Sequence, residues 1–247
     1  MELKNNLPRS LSCNILKLIA CVCMLTDHIG FGIIRYFNKV NAMDVPPDTY
    51  KAFSDAYDIC NGIGRLAFPI FAFFVVEGFL HTRDVKKYAL RLFIFGLVSE
   101  IPFDLGLFKE VYHPDHQNVI FTFFIAVIML SILKYLTQNA FGLSKPVIVF
   151  ICICTVIAFA DLALVLKTDY SWKCMLLVSV LYMLRSFGDL KYVAGAAAVC
   201  WEKYAPASFM LLYFYDPSVK PRYKYAFYVF YPLHLLIIYF VSTVLVG

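Results

Sequence analysis

The sequence predicts an all-α, polytopic membrane protein, on the basis of its hydropathy, its charge content and the length of its apolar runs. Of the 247 residues, 61% are hydrophobic and 16% are charged, and the mean hydropathy is +0.72. Soluble domains contain about 45–50% apolar and about 25% charged residues. The apolar runs approach the ~20 residues that a helix needs to cross a hydrocarbon core. This composition excludes a disordered chain, a soluble enzyme and a disulfide-stapled secreted domain.

The apolar runs predict about nine transmembrane helices, within a range of eight to ten, in a single domain covering residues 1–247. The runs lie approximately at 11–35, 57–80, 88–108, 119–138, 146–166, 171–187, 190–203, 205–216 and 225–246. The runs within 190–216 are short for full spans, so tilted spans, a re-entrant pair and one broken helix are alternatives. We prefer two passes, because a single pass would export the basic residues at 220–224.

The distribution of charge predicts how the chain is oriented. Lys and Arg concentrate in the loops on the side of the N-terminus, so the positive-inside rule predicts that the N-terminus is cytoplasmic. The net charge of +5 is mild and is explained by these basic loops. We therefore expect the lipid bilayer, and no nucleic acid, as a partner. The longest connection, 36–56, is expected to be either a plain loop or a cap over the bundle.

The sequence does not predict a metal site. Nearly all of the eight cysteines lie in apolar runs, and none forms a Cys-x-x-Cys pair. His113 and His116 flank Asp115 in a loop, but two loop histidines without further placed ligands do not make a zinc site.

The first helix carries Lys17, Asp27 and His28 at membrane depth, where ionisable residues are costly and usually functional. Lys17 and His28 are separated by eleven residues, so they lie within about 20° on one stripe and about 16 Å apart. An imidazole near neutral pH can act as a general base, and Asp27 can orient it. The alternative for Lys17 is that it extends to the lipid headgroups.

The second helix carries Arg65 and Glu77, with Pro69 between them. They differ by about 120° around the helix, so each needs a partner on another helix. We expect Arg65 to pair with Asp27, or with Glu100 on the third helix.

Basic residues lie where the second helix ends and the third begins. They are His81, Arg83, Lys86, Lys87 and, within the third helix, Arg91. The residues from His81 to Lys87 form a basic rim at the end of the bundle. Such a rim is equally typical of an anchor for anionic lipid and of a phosphate-binding surface.

Two further helices carry candidate polar residues. Asn118 and Thr122 share a helical face and are expected to hydrogen-bond either a ligand or, more commonly, a neighbouring helix. Tyr231 and His234 lie on one ridge of the last helix, around Pro232. An aromatic belt at the membrane surface does not explain His234, which lies deeper. We therefore predict a polar, proline-lined cavity with two buried histidines.

At these residues the chain resembles the TraX family, named for the membrane protein that N-acetylates F-type conjugative pilin. The matching stretches are LKLIACVCMLTDHIG (16–30), GIGRLAFPIFAFFVVEGFLHTRD (62–84), YALRLFIFGLVSEIPFDL (88–105), HQNVIFTF (116–123), the pair Asp169-Tyr170, and KYAFYVFYPLHLLII (224–238). The first helix is also partly similar to the Arg…His pattern of acyltransferase-3 membrane enzymes, with Lys17 in place of Arg. The resemblance implies a multi-pass acyltransferase of the bacterial cytoplasmic membrane that uses acetyl-CoA as acyl donor.

These observations assign candidate roles under an acetyltransferase hypothesis. The candidate catalytic residues are His28, Asp27, Arg65, Glu77 and Glu100. The candidate donor-binding residues are Lys17, His81, Arg83, Arg91, Asn118, Tyr231 and His234. The acceptor is a peptide amine, a glycan or a lipid headgroup, and transfer is either direct or through an acetyl-histidine. The alternative function is a proton-coupled transporter or flippase that uses the buried charges. A structural subunit is the third hypothesis.

Overall fold

The computed structural model describes residues 10–41, 43–139, 142–219, 222 and 224–246, and it confirms the all-α prediction for them. The only extended pairings in this part of the chain are two isolated bridges, Leu11 with Tyr215 and Gln117 with Thr168. Lys220, which supported the choice of two passes, lies outside the described residues.

The helices follow the apolar runs, and polar side chains cap several of them. Ser12 and Asp84 accept hydrogen bonds from the N–H groups of Ile15 and Lys87, which satisfies the first turn of α1 and of α5. The helices are α1 (Cys13–Ile29), α2 (Tyr36–Val40), α3 (Pro47–Gly64), α4 (Ala67–His81), α5 (Val85–Phe103), α6 (Val119–Gln138), α7 (Lys145–Val165), α8 (Ser171–Met183), α9 (Leu190–Ala198), α10 (Ser208–Tyr213) and α11 (Lys224–Val246). A π-helical turn, Gly30–Arg35, joins α1 to α2, a second, Asp104–Phe108, extends α5, and a 3₁₀ turn, Ala205–Ala207, precedes α10.

Five helical stretches among the described residues are long and apolar enough to cross a membrane. They are Cys13–Val40, Pro47–His81, Val119–Gln138, Lys145–Val165 and Tyr225–Leu245. The protein is therefore a helical membrane protein. The connection at 36–56 is mostly helical, because α2 and the first half of α3 occupy most of it. The expectation of a plain loop there is therefore wrong.

The bundle has two distinct ends. We call one of them the Lys17 end, after the residue near the start of α1. Here Leu11 pairs with Tyr215, and Phe79 contacts both Tyr182 and Lys134. We call the other the Asp169 end, after the loop between α7 and α8. Three contacts join distant segments there: Arg65 with Glu202, Gln117 with Thr168, and Tyr170 with Trp201. Successive helices run between these ends, so residues far apart in sequence meet at each of them.

Residues 190–216 go out and back, as the two-pass interpretation expects, but through helices too short for full spans. Glu202, between α9 and α10, reaches Arg65 at the Asp169 end, and Tyr215 returns to Leu11 at the Lys17 end. With nine and six residues, α9 and α10 are only about 14 and 9 Å long, against a hydrocarbon core of about 30 Å. The segment therefore consists of two short helices, as its short apolar runs indicated, and the number of membrane passes that it makes stays a prediction.

Two glycines allow three helical segments to cross closely. A Cβ added at Gly106 would lie 2.7 Å from the carbonyl oxygen of Leu235 on α11, and one at Gly32 would lie 2.7 Å from the carbonyl oxygen of Gly106. Small residues at such crossings let helix backbones approach in a membrane, where packing drives association. The crossing fixes the position of α11 beside α1, next to His234.

We expect Gly106→Ala to destabilise the protein. The new methyl group would collide with backbone that cannot rotate away, and overpacking costs about 1–3 kcal/mol. That exceeds the roughly 1 kcal/mol gained from helix propensity. Thermal unfolding in detergent measures the change, with Ala197→Ser on the exposed face of α9 as the control. An unchanged midpoint for Gly106→Ala would contradict the role of this crossing.

Candidate functional site

A half-buried histidine of the first helix and a buried histidine of the last helix form a direct pair. His28 Nδ1 and His234 Nε2 are 2.7 Å apart, and the two rings are parallel within 7°. Tyr231 meets His28 edge-on, with ring centroids 6.3 Å apart. His234 is 3% exposed. The sequence predicted a polar, proline-lined cavity with two buried histidines. The two histidines do meet, in a defined contact between α1 and α11, but none of the described prolines lines either of the two cavities beside them.

A small cavity of about 50 Å³ lies against His28. Asp27 and Asp169 contribute carboxylates to its wall, while Phe68, Tyr170 and Tyr231 contribute aromatic rings. Phe68 and Tyr170 stack with centroids 3.8 Å apart. The cavity therefore combines an imidazole, acidic groups and an aromatic wall.

A larger cavity of about 340 Å³ adjoins the small one and extends towards the Lys17 end. The two share the wall residues Met24, Phe71, Val119, Phe123 and Tyr231. Most of the larger cavity is lined by apolar side chains, and Lys17, His81 and Arg91 add nitrogen atoms. The predicted alignment of Lys17 and His28 along one face of α1 therefore places them at successive cavities.

Lys17 and Arg91, in the wall of the larger cavity, lack acidic partners among the described residues. Lys17 Nζ lies over the rings of Phe74 and Phe227, at 5.1 and 5.7 Å from their centroids. Arg91 Nε is buried without a hydrogen-bond partner, although its guanidinium lies over Tyr88. An uncompensated buried charge is costly, so this cavity is suited to an anionic ligand.

Arg65 pairs differently from either expectation. Its Nε donates to Asn61 at 2.8 Å, and its Nη1 lies 3.7 Å from Glu202. Asp27 interacts with Arg65 electrostatically without an ion-pair contact, and it packs where Gly64 leaves room for its side chain. The expected pair of Arg65 with Glu100 is wrong.

Glu100 instead bonds Asn118, and together they join α5 to α6. The Asn118 amide donates to Glu100 and to the carbonyl of Gly96, and its oxygen accepts from the N–H of Ile120. Thr122 donates to the carbonyl of Asp169 at 2.6 Å. Since the polar atoms of Asn118 are all engaged inside the protein, the arrangement favours the interhelical alternative over ligand binding.

The candidate residues divide according to the two cavities. Those that line a cavity are Lys17, Asp27, His28, His81, Arg91 and Tyr231. Those that line neither are Arg65, Glu77, Arg83, Glu100, Asn118 and His234. Glu77 lies at the Lys17 end, 3.8 Å from His81 and away from His28, and Arg83 is exposed. Catalytic roles for Glu77 and Glu100 stay predictions without support from this geometry.

The loop that carries Asp169 and Tyr170 is the part of the site that the sequence analysis did not assign. Lys167, Tyr170 and Ser171 have φ values of 52°, 57° and 29°, a region that residues with side chains rarely adopt. Such strain concentrates at functional sites. The one available signal was the Asp169-Tyr170 pair among the stretches that resemble the TraX family.

The two loop histidines do not share a ligand position; each lies next to an acidic residue. His113 Nδ1 lies 3.0 Å from Glu110, and His116 Nε2 lies 3.6 Å from Asp169. Within the described part of the chain, no group of three or more His, Cys, Asp or Glu side chains is placed to hold a metal ion.

The fold and the site together define an integral membrane protein with a histidine pair beside a cation-lined cavity. The profile of the TraX protein family matches residues 12–242, so the chain belongs to the TraX family, and the resemblance seen in the sequence is confirmed. The chain is also 28% identical, over 252 aligned positions, to the "Probable fimbrial assembly protein FimC, serogroup H1" of Dichelobacter nodosus, with 90% of this chain and 92% of that protein covered. No solved structure matches the chain.

We expect the pKa of His116 to lie above its usual value of 6.5, because it faces the Asp169 carboxylate. A raised pKa means that the pair stabilises the folded loops below pH 6.5 and that this contribution is lost as the pH rises through the pKa. NMR titration of the His116 ring in detergent tests the shift. Asp169→Asn should lower the pKa, whereas Asp115→Asn, which removes the partner of Lys167, should leave it unchanged. The same His116 pKa in the wild type and in both variants would contradict the pairing of His116 with Asp169.

Proposed function

We propose that the protein is an acetyltransferase of the bacterial cytoplasmic membrane. It moves an acetyl group from cytoplasmic acetyl-CoA to an amine or hydroxyl acceptor, and His28 is the general base. The observation that carries the proposal is the position of His28, in the wall of a small cavity that adjoins a larger, cation-lined one.

The larger cavity fits an anionic acyl donor. Lys17 and Arg91 are cations without acidic partners in the described residues, and charge-assisted hydrogen bonds to phosphate are strong. The apolar walls around them suit an uncharged arm that leads towards His28. Acetyl-CoA, which supplies an activated thioester, combines these properties.

The positions of His28 and Tyr231 in the cavity walls support acyl transfer. His28 takes a proton from the acceptor as the new C–N or C–O bond forms and the C–S bond breaks, and then returns the proton to the sulfur. Tyr231 lies in the wall beside His28, and its O–H stabilises the developing oxyanion. Tyr231 lines both cavities and therefore lies where the two reactants meet.

The acceptor that we favour is an amine of a pilus or fimbrial subunit. The D. nodosus relative is named for fimbrial assembly, and the TraX resemblance implies pilin as substrate. Asp27 and Asp169, in the wall of the small cavity, suit an ammonium group before it loses its proton. Glycans and lipid headgroups remain alternative acceptors.

We propose that the Lys17 end faces the cytoplasm, so that the N-terminus is cytoplasmic. Basic residues of several loops lie at this end, in agreement with the positive-inside rule. The chain then traverses the bundle nine times if α9 and α10 are counted as short, incomplete passes. This orientation opens the donor cavity on the side where acetyl-CoA is available.

We expect His28→Ala to lower acetyl transfer by about 10²–10⁴-fold, the usual contribution of general acid–base catalysis. The measurement is transfer of label from acetyl-CoA in membranes that contain the variant and its acceptor. His113→Ala is the control, because His113 lies in a loop against Glu110 and lines neither cavity. Normal transfer by folded His28→Ala would refute the assignment of the base.

We expect Lys17→Gln and Arg91→Gln each to raise the KM for acetyl-CoA at least about tenfold, with a smaller effect on kcat. Each removes a charged hydrogen-bond donor worth about 1.5–3 kcal/mol to an anion. Steady-state kinetics in detergent gives the two constants separately. Lys145→Gln, at an exposed position at the start of α7, is the matched control. An unchanged KM in both cavity variants would exclude this cavity as the donor site.

A further inference from the structure

The hydrogen bonds of the histidine pair have a fixed direction. His234 Nδ1 lies 2.8 Å from the carbonyl oxygen of Phe230, one turn earlier on α11. A carbonyl oxygen only accepts, so His234 Nδ1 carries the proton. In neutral His234 the other nitrogen, Nε2, is then an acceptor, and it faces His28 Nδ1 at 2.7 Å.

This direction determines the tautomer of His28. Because His234 Nε2 accepts, His28 Nδ1 must donate, and the lone pair of neutral His28 is left on Nε2. Nε2 is the nitrogen that His234 does not occupy. The imidazole is therefore held with its basic atom free, and its ring lies edge to edge with that of His234, in nearly the same plane.

We propose that His234 is a positioning residue that holds His28 in the tautomer required of a general base. This inference rests on the proposed function and assigns His234 a role different from donor binding. His234 is 3% exposed and lines neither cavity, so it is placed to touch His28 and not the reactants. A partner on Nδ1 that orients the base is a general arrangement in nucleophilic catalysis.

The same bonds fix the path of the proton. A proton taken up by His28 Nε2 cannot leave through His234, because the chain of hydrogen bonds ends at the Phe230 carbonyl, which is not a base. The proton must return through Nε2, on the face where it was taken from the acceptor. His28 therefore gives it to the departing sulfur, and the pair does not conduct protons across the bundle.

Two substitutions of His234 separate positioning from packing. His234→Phe keeps an aromatic ring between Phe230 and His28 but removes the acceptor, whereas His234→Gln keeps an acceptor oxygen near the position of Nε2. We expect His234→Phe to lower kcat about 10²-fold, the low end of general-base contributions, with little change in the KM for acetyl-CoA. His234→Gln should retain activity within about tenfold of the wild type.

A spectroscopic readout tests the tautomer without relying on activity. ¹⁵N NMR of protein labelled at histidine, with His28→Ala to assign the signal, should show an unprotonated Nε2 for His28 in the wild type. His234→Phe should shift this population towards the tautomer protonated on Nε2. An unprotonated Nδ1 in the wild type, or full kcat in His234→Phe, would overturn the inference. If His28→Ala also retains full transfer, the proposed function itself fails, so the two failures are distinguishable.

Discussion

The hydrogen bond between His28 and His234 joins the first and the last long helix of the bundle, and much of the structure is arranged to permit it. Polar groups in a bilayer must find partners inside the protein, because water is not available to them. The glycine crossing of Gly32 and Gly106 brings α11 close enough for this contact. Both π-helical turns lie beside the pair, and such turns often occur at functional sites.

The remaining polar residues fall into groups with different physical roles. Asn118 and Glu100 hold α5 against α6, and Arg65 with Glu202 connects the start of α4 to the turn between α9 and α10. These contacts join helices within the protein, although one carboxylate oxygen of Glu100 is buried without a hydrogen-bond partner. Lys17 and Arg91 differ from these groups because they line a cavity and have no acidic partner among the described residues, and they therefore support the proposed binding of an anionic donor.

The sequence predicted the fold and the centre of the site because each depends on local pattern. Apolar run length gives the helices, and helical spacing puts Lys17 and His28 on one stripe. His234 was recognisable because an ionisable residue deep in an apolar helix needs an explanation. The pairing of Arg65 with Glu202 and the place of Tyr170 beside Phe68 depend on packing between distant segments. Spacing within one helix contains no information about either contact.

The location of the paired histidines near opposite termini has a consequence for biogenesis. His28 lies on α1 and its partner lies on α11, and α2–α10 are synthesised between them. Throughout synthesis the first helix therefore carries an imidazole without its intended neighbour, and the intact pair does not exist until α11 packs against α1. A chain shortened before α11 would contain His28 but would lack His234 and Tyr231, so the pair would be absent and both cavities would be incomplete. Under the proposed function, activity would therefore require α11 in place.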